Sequence, residues 1–185
     1  MPVFEIRVFR RRPVNVDVRA PTSRMMLIDP PNDLEAGPVR LRFDRVVEGD
    51  SACGLVPYYH FKVLDRTNTV VGHINLRIGD TTHVLMCAGH VGYEIIPEFR
   101  GQSYSYFACQ ALVPVIDVHY EQVIITVEID NIASRRTIER LGAEFIDTVD
   151  VPADDPAYAG GARRKRRFAW CPNNCVNRSG ESGGI

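Results

Sequence analysis

A chain of 185 residues with 45% hydrophobic and 24% charged residues has enough apolar material to bury one sizeable core and is too polar for a membrane bundle. Its formal net charge of −1 excludes the overall basic footprint of a nucleic-acid binder, so charge has to be read locally. No stretch approaches the ~20 apolar residues of a spanning helix. Behind the early cluster Arg10-Arg11-Arg12, Pro13 and alternating polar residues stand where a secretory signal needs a continuous apolar run.

Taken in order, Phe4 to Phe9 and Val14 to Val18 alternate apolar and polar residues, as strands of a hairpin or an N-terminal extension do. Asp29 to Asp33 is a loop on its prolines, and Gly37-Pro38 is a second break. Val39 to Glu48 reads as a strand. Tyr58 to Leu64 and Val70 to Ile78 read as an antiparallel hairpin around the polar turn Asp65 to Asn68. Gly79 to Thr82 turns the chain again, and Val84 to Ile96 reads as one long strand, bulged around Gly89 and Gly92.

Pro97 ends that strand, and Arg100-Gly101-Gln102-Ser103 makes a polar loop. From Tyr104 the apolar spacing becomes helical, with Pro114 predicted to kink or end the helix. A strand running through such a loop into a helix presents unpaired N–H groups and a positive dipole end, which is an anion-binding geometry. Val123 to Val127 has the signature of a strand buried on both faces. Ala133 to Leu141 reads as a helix closed by Gly142 at C′, Phe145 to Val151 as a strand, Pro152 to Gly161 as a loop and Lys165 to Trp170 as the last strand. The expected class is α+β, with an extension over residues 1–38, one domain over 39–172 and a disordered tail over 173–185.

Cys53, Cys87 and Cys109 sit in apolar runs, and the odd total of five cysteines at irregular spacing suits a reducing, cytoplasmic setting. Cys171 and Cys175 have the spacing of half a zinc site without a second pair, so no metal is expected. Arg163 to Arg167 lies on the last predicted strand, where a solvated edge or a countercharge to nearby acids is the simplest reading.

The stretches GHVGYEIIPEFRGQSYSYFACQAL (89–112) and TVEIDNIASRRTIERLG (126–142) are two successive strand-to-helix junctions. In order and spacing they resemble the GNAT superfamily of acetyl-CoA-dependent N-acetyltransferases over roughly residues 39 to 170. Asn131, Ser134, Glu139, Leu141 and Gly142 fall in register with the second family motif, and Arg100 with the first. Ser103 and Ser105 depart from that first motif, standing where the family carries glycine and Gly/Ala, which let the backbone approach a pyrophosphate.

The resemblance implies a mostly antiparallel mixed sheet whose central parallel strand pair splays apart for coenzyme A. It implies Tyr93, Glu94, Ile95 and Ile96 along the pantetheine arm, and Arg100, Gly101, Gln102, Ser103, Tyr104 and Ser105 around the pyrophosphate. Asn131 and Ser134 would reach the pantetheine or thiol end. The general-acid tyrosine of many relatives is Ile138 here, which leaves Tyr104 or water to protonate the thiolate. Glu94 is the base candidate or a satisfied sheet carboxylate, with His73, His83 and His90 as alternatives.

Asp147, Asp150, Asp154 and Asp155, with Glu48 and Asp50, fall in segments that build the family's acceptor site. They point to a primary amine on a small cationic acceptor such as an aminoglycoside antibiotic or a polyamine, or they are solvated loop acids. A non-catalytic coenzyme A-binding module and a peptide N-acetyltransferase are the other readings. A homodimer using the N-terminal strands is compatible with all of them.

Overall fold

Alternation of apolar and polar side chains drives the first half of the chain into strands. The computed structural model describes residues 27–31 and 34–173. In it β1 (Leu34–Ala36), β2 (Val39–Val47), β3 (Tyr58–Leu64), β4 (Val70–Arg77) and β5 (Val91–Ile95) form an antiparallel sheet in that order. The expected strands at Phe4 to Phe9 and Val14 to Val18, and the tail beyond 173, lie outside the described residues. β1 pairs with β2 around Gly37, and Leu34 is buried in the core, so a boundary drawn at residue 38 falls inside a hairpin.

The β3–β4 hairpin forms as expected. Asp65 Oδ1 accepts from Thr67 N at 2.8 Å and Thr69 N at 2.9 Å, while Asn68 takes the left-handed φ of 65° that closes the turn. On one face of the sheet Tyr59, Phe61, Ile74, Leu76 and Val91 are buried. The register lines Tyr58, His60 and Lys62 of β3 up with Arg77, Asn75 and His73 of β4 on the other, polar face.

The long strand expected over Val84 to Ile96 is shorter. Val84–Ala88 instead winds into a π-helical turn closed by Gly89 N on Val84 O at 2.8 Å. Three side chains from elsewhere satisfy its carbonyls: Thr126 Oγ1 donates to Cys87 O at 2.8 Å, Arg167 Nη1 to Leu85 O at 3.2 Å and Arg77 Nη1 to Ala88 O at 3.3 Å. Gly89 (φ 70°) must lack a side chain, because a Cβ there would stand 2.9 Å from Thr126 N.

α1 (Tyr104–His119) lays Ala108, Ala111, Leu112, Val115 and Ile116 onto the apolar face. Pro114 does not end it. The lost hydrogen bond and ring clash cost about 3 kcal/mol, and burial of Leu112, Val115 and Ile116 offsets this at roughly 1.5–3 kcal/mol per side chain.

β6 (Val123–Glu128), α2 (Ile132–Arg140), β7 (Glu144–Asp150), α3 (Pro156–Ala159) and β8 (Arg164–Trp170) complete the chain. The last three strands make a sheet in the order β6-β8-β7, so the basic strand is central rather than an edge. Its neighbours supply countercharge: Arg167 pairs with Asp147 at 2.6 Å, Arg164 with Asp150 at 3.2 Å and Lys165 with Glu128 at 3.1 Å. Of the cysteines expected in apolar surroundings, Cys87 and Cys109 are buried but Cys53 is exposed. No helix among the described residues is long and apolar enough to cross a membrane.

The two sheets meet at His90, which is 2% exposed. His90 N donates to Ile124 O at 2.7 Å, but the returning Ile124 N donates to the His90 ring at Nδ1, at 2.8 Å, instead of to a carbonyl. Nδ1 therefore accepts, and Nε2 carries the proton toward Asp80 Oδ1 at 2.8 Å. A side chain replaces a backbone rung here, so β5 and β6 start side by side and then diverge. Both ring nitrogens are committed to this junction, which removes His90 from the candidate bases.

Candidate active site

Two clefts flank the divergence of β5 and β6. The first, about 580 Å³, is walled by Tyr93, Glu94 and Ile95 of β5, by Phe99, Arg100, Gly101 and Ser103 of the loop, by Tyr104 and Ser105 at the start of α1, and by Asn131, Ala133, Ser134, Arg136 and Thr137 at the start of and along α2. The β4–β5 ladder fixes which backbone groups face it. Arg77 N bonds His90 O and Ile96 N bonds Val71 O, so the even-numbered residues of β5 point to β4 and the N–H groups of Tyr93 and Ile95 point to the opposite, open edge. Ile96, expected along the same arm, spends its N–H on Val71 and does not line the cleft.

The loop is braced from behind. Arg100 Nε donates to Ile95 O at 3.0 Å, and Gly101 takes φ 84°. Ser103, the residue at the family's glycine position, adopts φ 60°, the left-handed conformation that glycine takes without penalty. It is the N-cap of α1 yet makes no side-chain cap; its Oγ instead accepts from Arg140 Nη1 at 3.0 Å. The first N–H groups of α1 are thus left open toward the cleft. Ser105 Oγ meets Thr137 Oγ1 at 3.1 Å, so its small side chain joins α1 to α2.

Replacing Ser103 with glycine is expected to relieve about 1 kcal/mol of left-handed strain, outweighing the exposed bond to Arg140. A higher melting temperature in a thermal scan, with anion binding at the loop retained, is the outcome to look for.

The second cleft, about 520 Å³, is bounded by Arg77 and Gly92, by His83 just before the π-turn and Cys87 within it, by Thr126 and Glu128 of β6, by Pro156 and Ala157 of α3, and by Lys165. Tyr93, Asn131 and Ser134 line both clefts. Tyr93 donates its hydroxyl to Ser134 O at 3.4 Å, and burial pushes its phenol well above the usual range, so it stays protonated. Asn131 caps α2, its Oδ1 accepting from Ser134 N at 3.0 Å.

A family model described as "Acetyltransferase (GNAT) domain" matches residues 19–144, more than half of the chain. The chain belongs to this GNAT acetyltransferase family. No curated protein matches it. Similar solved structures include a ribosomal-protein-S5-alanine acetyltransferase from Vibrio fischeri (15% identity, 63% of each chain covered, TM-score 0.49). Another is a GNAT-family acetyltransferase from Bacillus anthracis (19% identity, 61% of this chain and 66% of that one, TM-score 0.47). The chain thus spans less than two thirds of the length of either.

Among the residues expected from the GNAT resemblance, Tyr93, Glu94, Ile95, Arg100, Gly101, Ser103, Tyr104, Ser105, Asn131 and Ser134 meet around the first cleft. Gln102 does not line it; its Oε1 accepts from Tyr104 OH at 3.2 Å. Glu94 is exposed and lies opposite His73 in the ladder, away from the second cleft.

The four aspartates are not gathered into one patch. Asp147 and Asp150 are held by Arg167 and Arg164, Asp155 by His83, and Asp154 is exposed outside both clefts. Asp50 caps a 3-10 turn through Ala52 N at 3.0 Å, and neither it nor Glu48 lines a cleft. Sequence reading missed Arg136 and Thr137, although they follow Ala133 at helical i+3 and i+4 spacing and so share its face. It also missed Arg77 and Glu128.

The pair that stands out in the second cleft is His83 with Asp155. His83 Nδ1 lies 2.9 Å from one carboxylate oxygen and 3.0 Å from the other, and both side chains are nearly buried. Burial alone would raise the Asp155 carboxyl, but hydrogen bonds from His83, the Ala157 N–H and the Cys87 thiol bring it below its ordinary value of 3.8. Burial first, then the same Asp155 contact, pushes the Cys87 thiol up to about 11, so it is no nucleophile at neutral pH.

A depressed carboxyl contributes stability that is whole above the unfolded pKa and is lost as pH falls through the folded one. Asp155→Asn is therefore expected to lower stability at neutral pH and to flatten its decline below about pH 4, read by urea melts at both pH values.

Proposed function

We propose that this protein is an acetyl-CoA-dependent N-acetyltransferase acting on a primary amine by direct attack in a ternary complex. The observation that carries the proposal is the pair of clefts meeting at a shared wall of Tyr93, Asn131 and Ser134. Bound in the first cleft, acetyl-CoA supplies an acetyl thioester. The open N–H groups at the start of α1 with Arg100 and Arg136 suit its phosphates. The N–H groups of Tyr93 and Ile95 suit the pantetheine amides and the thioester oxygen.

His83 is the better base for the acceptor amine. Asp155 holds Nδ1 as the donor, which leaves Nε2 free to accept a proton. Glu94 remains the alternative, at the rim of the cofactor cleft. Tyr93 lines the shared wall with its hydroxyl directed to Ser134 O and its phenol held well above the usual range by burial, so the departing thiolate takes its proton from water or from Tyr104 at the loop. The free thiols Cys53, Cys87 and Cys109 suit a reducing compartment such as the cytoplasm.

A polycationic acceptor, whether aminoglycoside or polyamine, has little support left, because Asp147 and Asp150 already pair with Arg167 and Arg164 and Asp155 is spent on orienting His83. Calorimetry with acetyl-CoA, followed by thiol release across a panel of amines and peptides, tests the proposal. Binding with turnover of at least one amine is expected. No binding at millimolar cofactor would overturn it, and binding without turnover would favour a non-catalytic module.

A further inference from the structure

Arg77 stands at the end of β4 and lays its guanidinium over Gly92, where a Cβ would come within 3.1 Å of Nη1. Nη1 donates to Gly89 O at 3.1 Å and to Ala88 O at 3.3 Å. Nε and Nη2 find no acceptor among the described residues, and no carboxylate lies within ion-pair distance. Around this cleft Lys165 pairs with Glu128 at 3.1 Å, and Asp155 accepts from the His83 ring at 2.9 Å. Arg77 is thus a largely buried cation facing a cavity, and among the described residues two carbonyl dipoles and the neighbouring Tyr58 offset its charge without a carboxylate partner.

The free donors define the ligand. With Nη1 engaged, Nε–H and Nη2–H form one planar edge of the fork, and two parallel N–H groups on such an edge match the two oxygens of a carboxylate. Burial lowers the affinity of Arg77 for its own proton, so a counter-anion in the cleft restores what desolvation takes away.

We propose that the acceptor is an amine carrying a carboxylate, with the carboxylate paired to the Nε/Nη2 edge of Arg77 in the second cleft. This rests on the acetyltransferase reading above and replaces the cationic acceptor with a zwitterionic or anionic one. Arg77 then sets specificity, and His83 and Asp155 lie in the same cleft as the bound amine.

The test compares matched acceptors, amino acids and β-alanine against their carboxamides, in the full-length protein. With wild type, kcat/KM for the acids is expected to exceed that for the amides roughly ten- to a hundredfold, the worth of a charge-assisted pair. Arg77→Met should abolish that preference through KM, with acetyl-CoA affinity by calorimetry unchanged as the check on folding, and Arg77→Lys should restore part of it. Equal turnover of acid and amide, or a preference for a polyamine that survives Arg77→Met, overturns the proposal.

Thermal-shift titration with the same acids and amides, in the presence of coenzyme A, decides the case without turnover. Selective stabilisation by the acids in wild type and not in Arg77→Met supports the carboxylate site even if no thiol is released. Its absence sinks the carboxylate site even if another amine is acetylated.

Discussion

His83→Ala is expected to lower kcat by roughly two to four orders of magnitude, the usual worth of a positioned general base, while leaving acetyl-CoA affinity intact. The reasoning is geometric. His83 borders the second cleft, its Nδ1 is fixed against Asp155, and the carboxylate is fixed in turn by the N–H of Ala157 at 2.8 Å at the start of α3. The imidazole is thereby held in one orientation with Nε2 left over. Asp155→Asn should cost less than His83→Ala, because it disturbs the tautomer and not the base itself. Glu94→Gln separates the two candidates: a modest effect is expected, since the carboxylate is exposed and borders the other cleft. Should Glu94→Gln remove the activity while His83→Ala keeps it, the assignment of the base reverses.

His90→Leu is expected to destabilise the fold by about 3 kcal/mol, the sum of a stranded amide, an unpaired carboxylate and an altered packing shape. For a chain of this size that is a loss of about 10 °C in melting temperature. The leucine would leave Ile124 N without an acceptor and Asp80 without its donor, and would replace a ring that packs 4.6 Å from Tyr120. His90→Gln, which keeps an acceptor and a donor on a side chain of similar reach, should recover part of the loss. Acetyl-CoA binding should weaken along with stability in the leucine variant, because the same ring sets where β5 and β6 part. A leucine variant as stable as wild type would show that the splay is held elsewhere.

Local patterns made much of this architecture readable. The β3–β4 hairpin is written in Asp65 and Asn68, β6 in its β-branched run, and the end of α2 in Gly142 past the last turn, while the capping by Asn131 emerges only in the structure. Val84 to Ala88 was not readable, since an apolar run fits a strand and a wide turn equally; partners distant in sequence, Thr126 and Arg167, decide it. Pro114 misled for a related reason, because tertiary burial of α1 overrides a local breaker.

For the candidate site, most of the residues around the first cleft are those the GNAT resemblance implies, whereas nothing in the sequence pointed to the second cleft as a whole. Whether an acid or a base is free depends on which partner the sheet register brings opposite it. Asp147 and Arg77 differ in that respect, although each is only a charged residue on a strand in the sequence.

The shared wall at Tyr93, Asn131 and Ser134 has a kinetic corollary. Each cleft has its own exposed rim, at Arg100 and Ser103 for the first and at Glu128 and Pro156 for the second. Neither substrate has to pass the other to reach the reacting position, so loading in either order is open and initial-rate plots should intersect without an obligatory first partner. An inhibitor that joins the two substrates would have to thread its linker through the gap between the diverging strands, past the phenol of Tyr93.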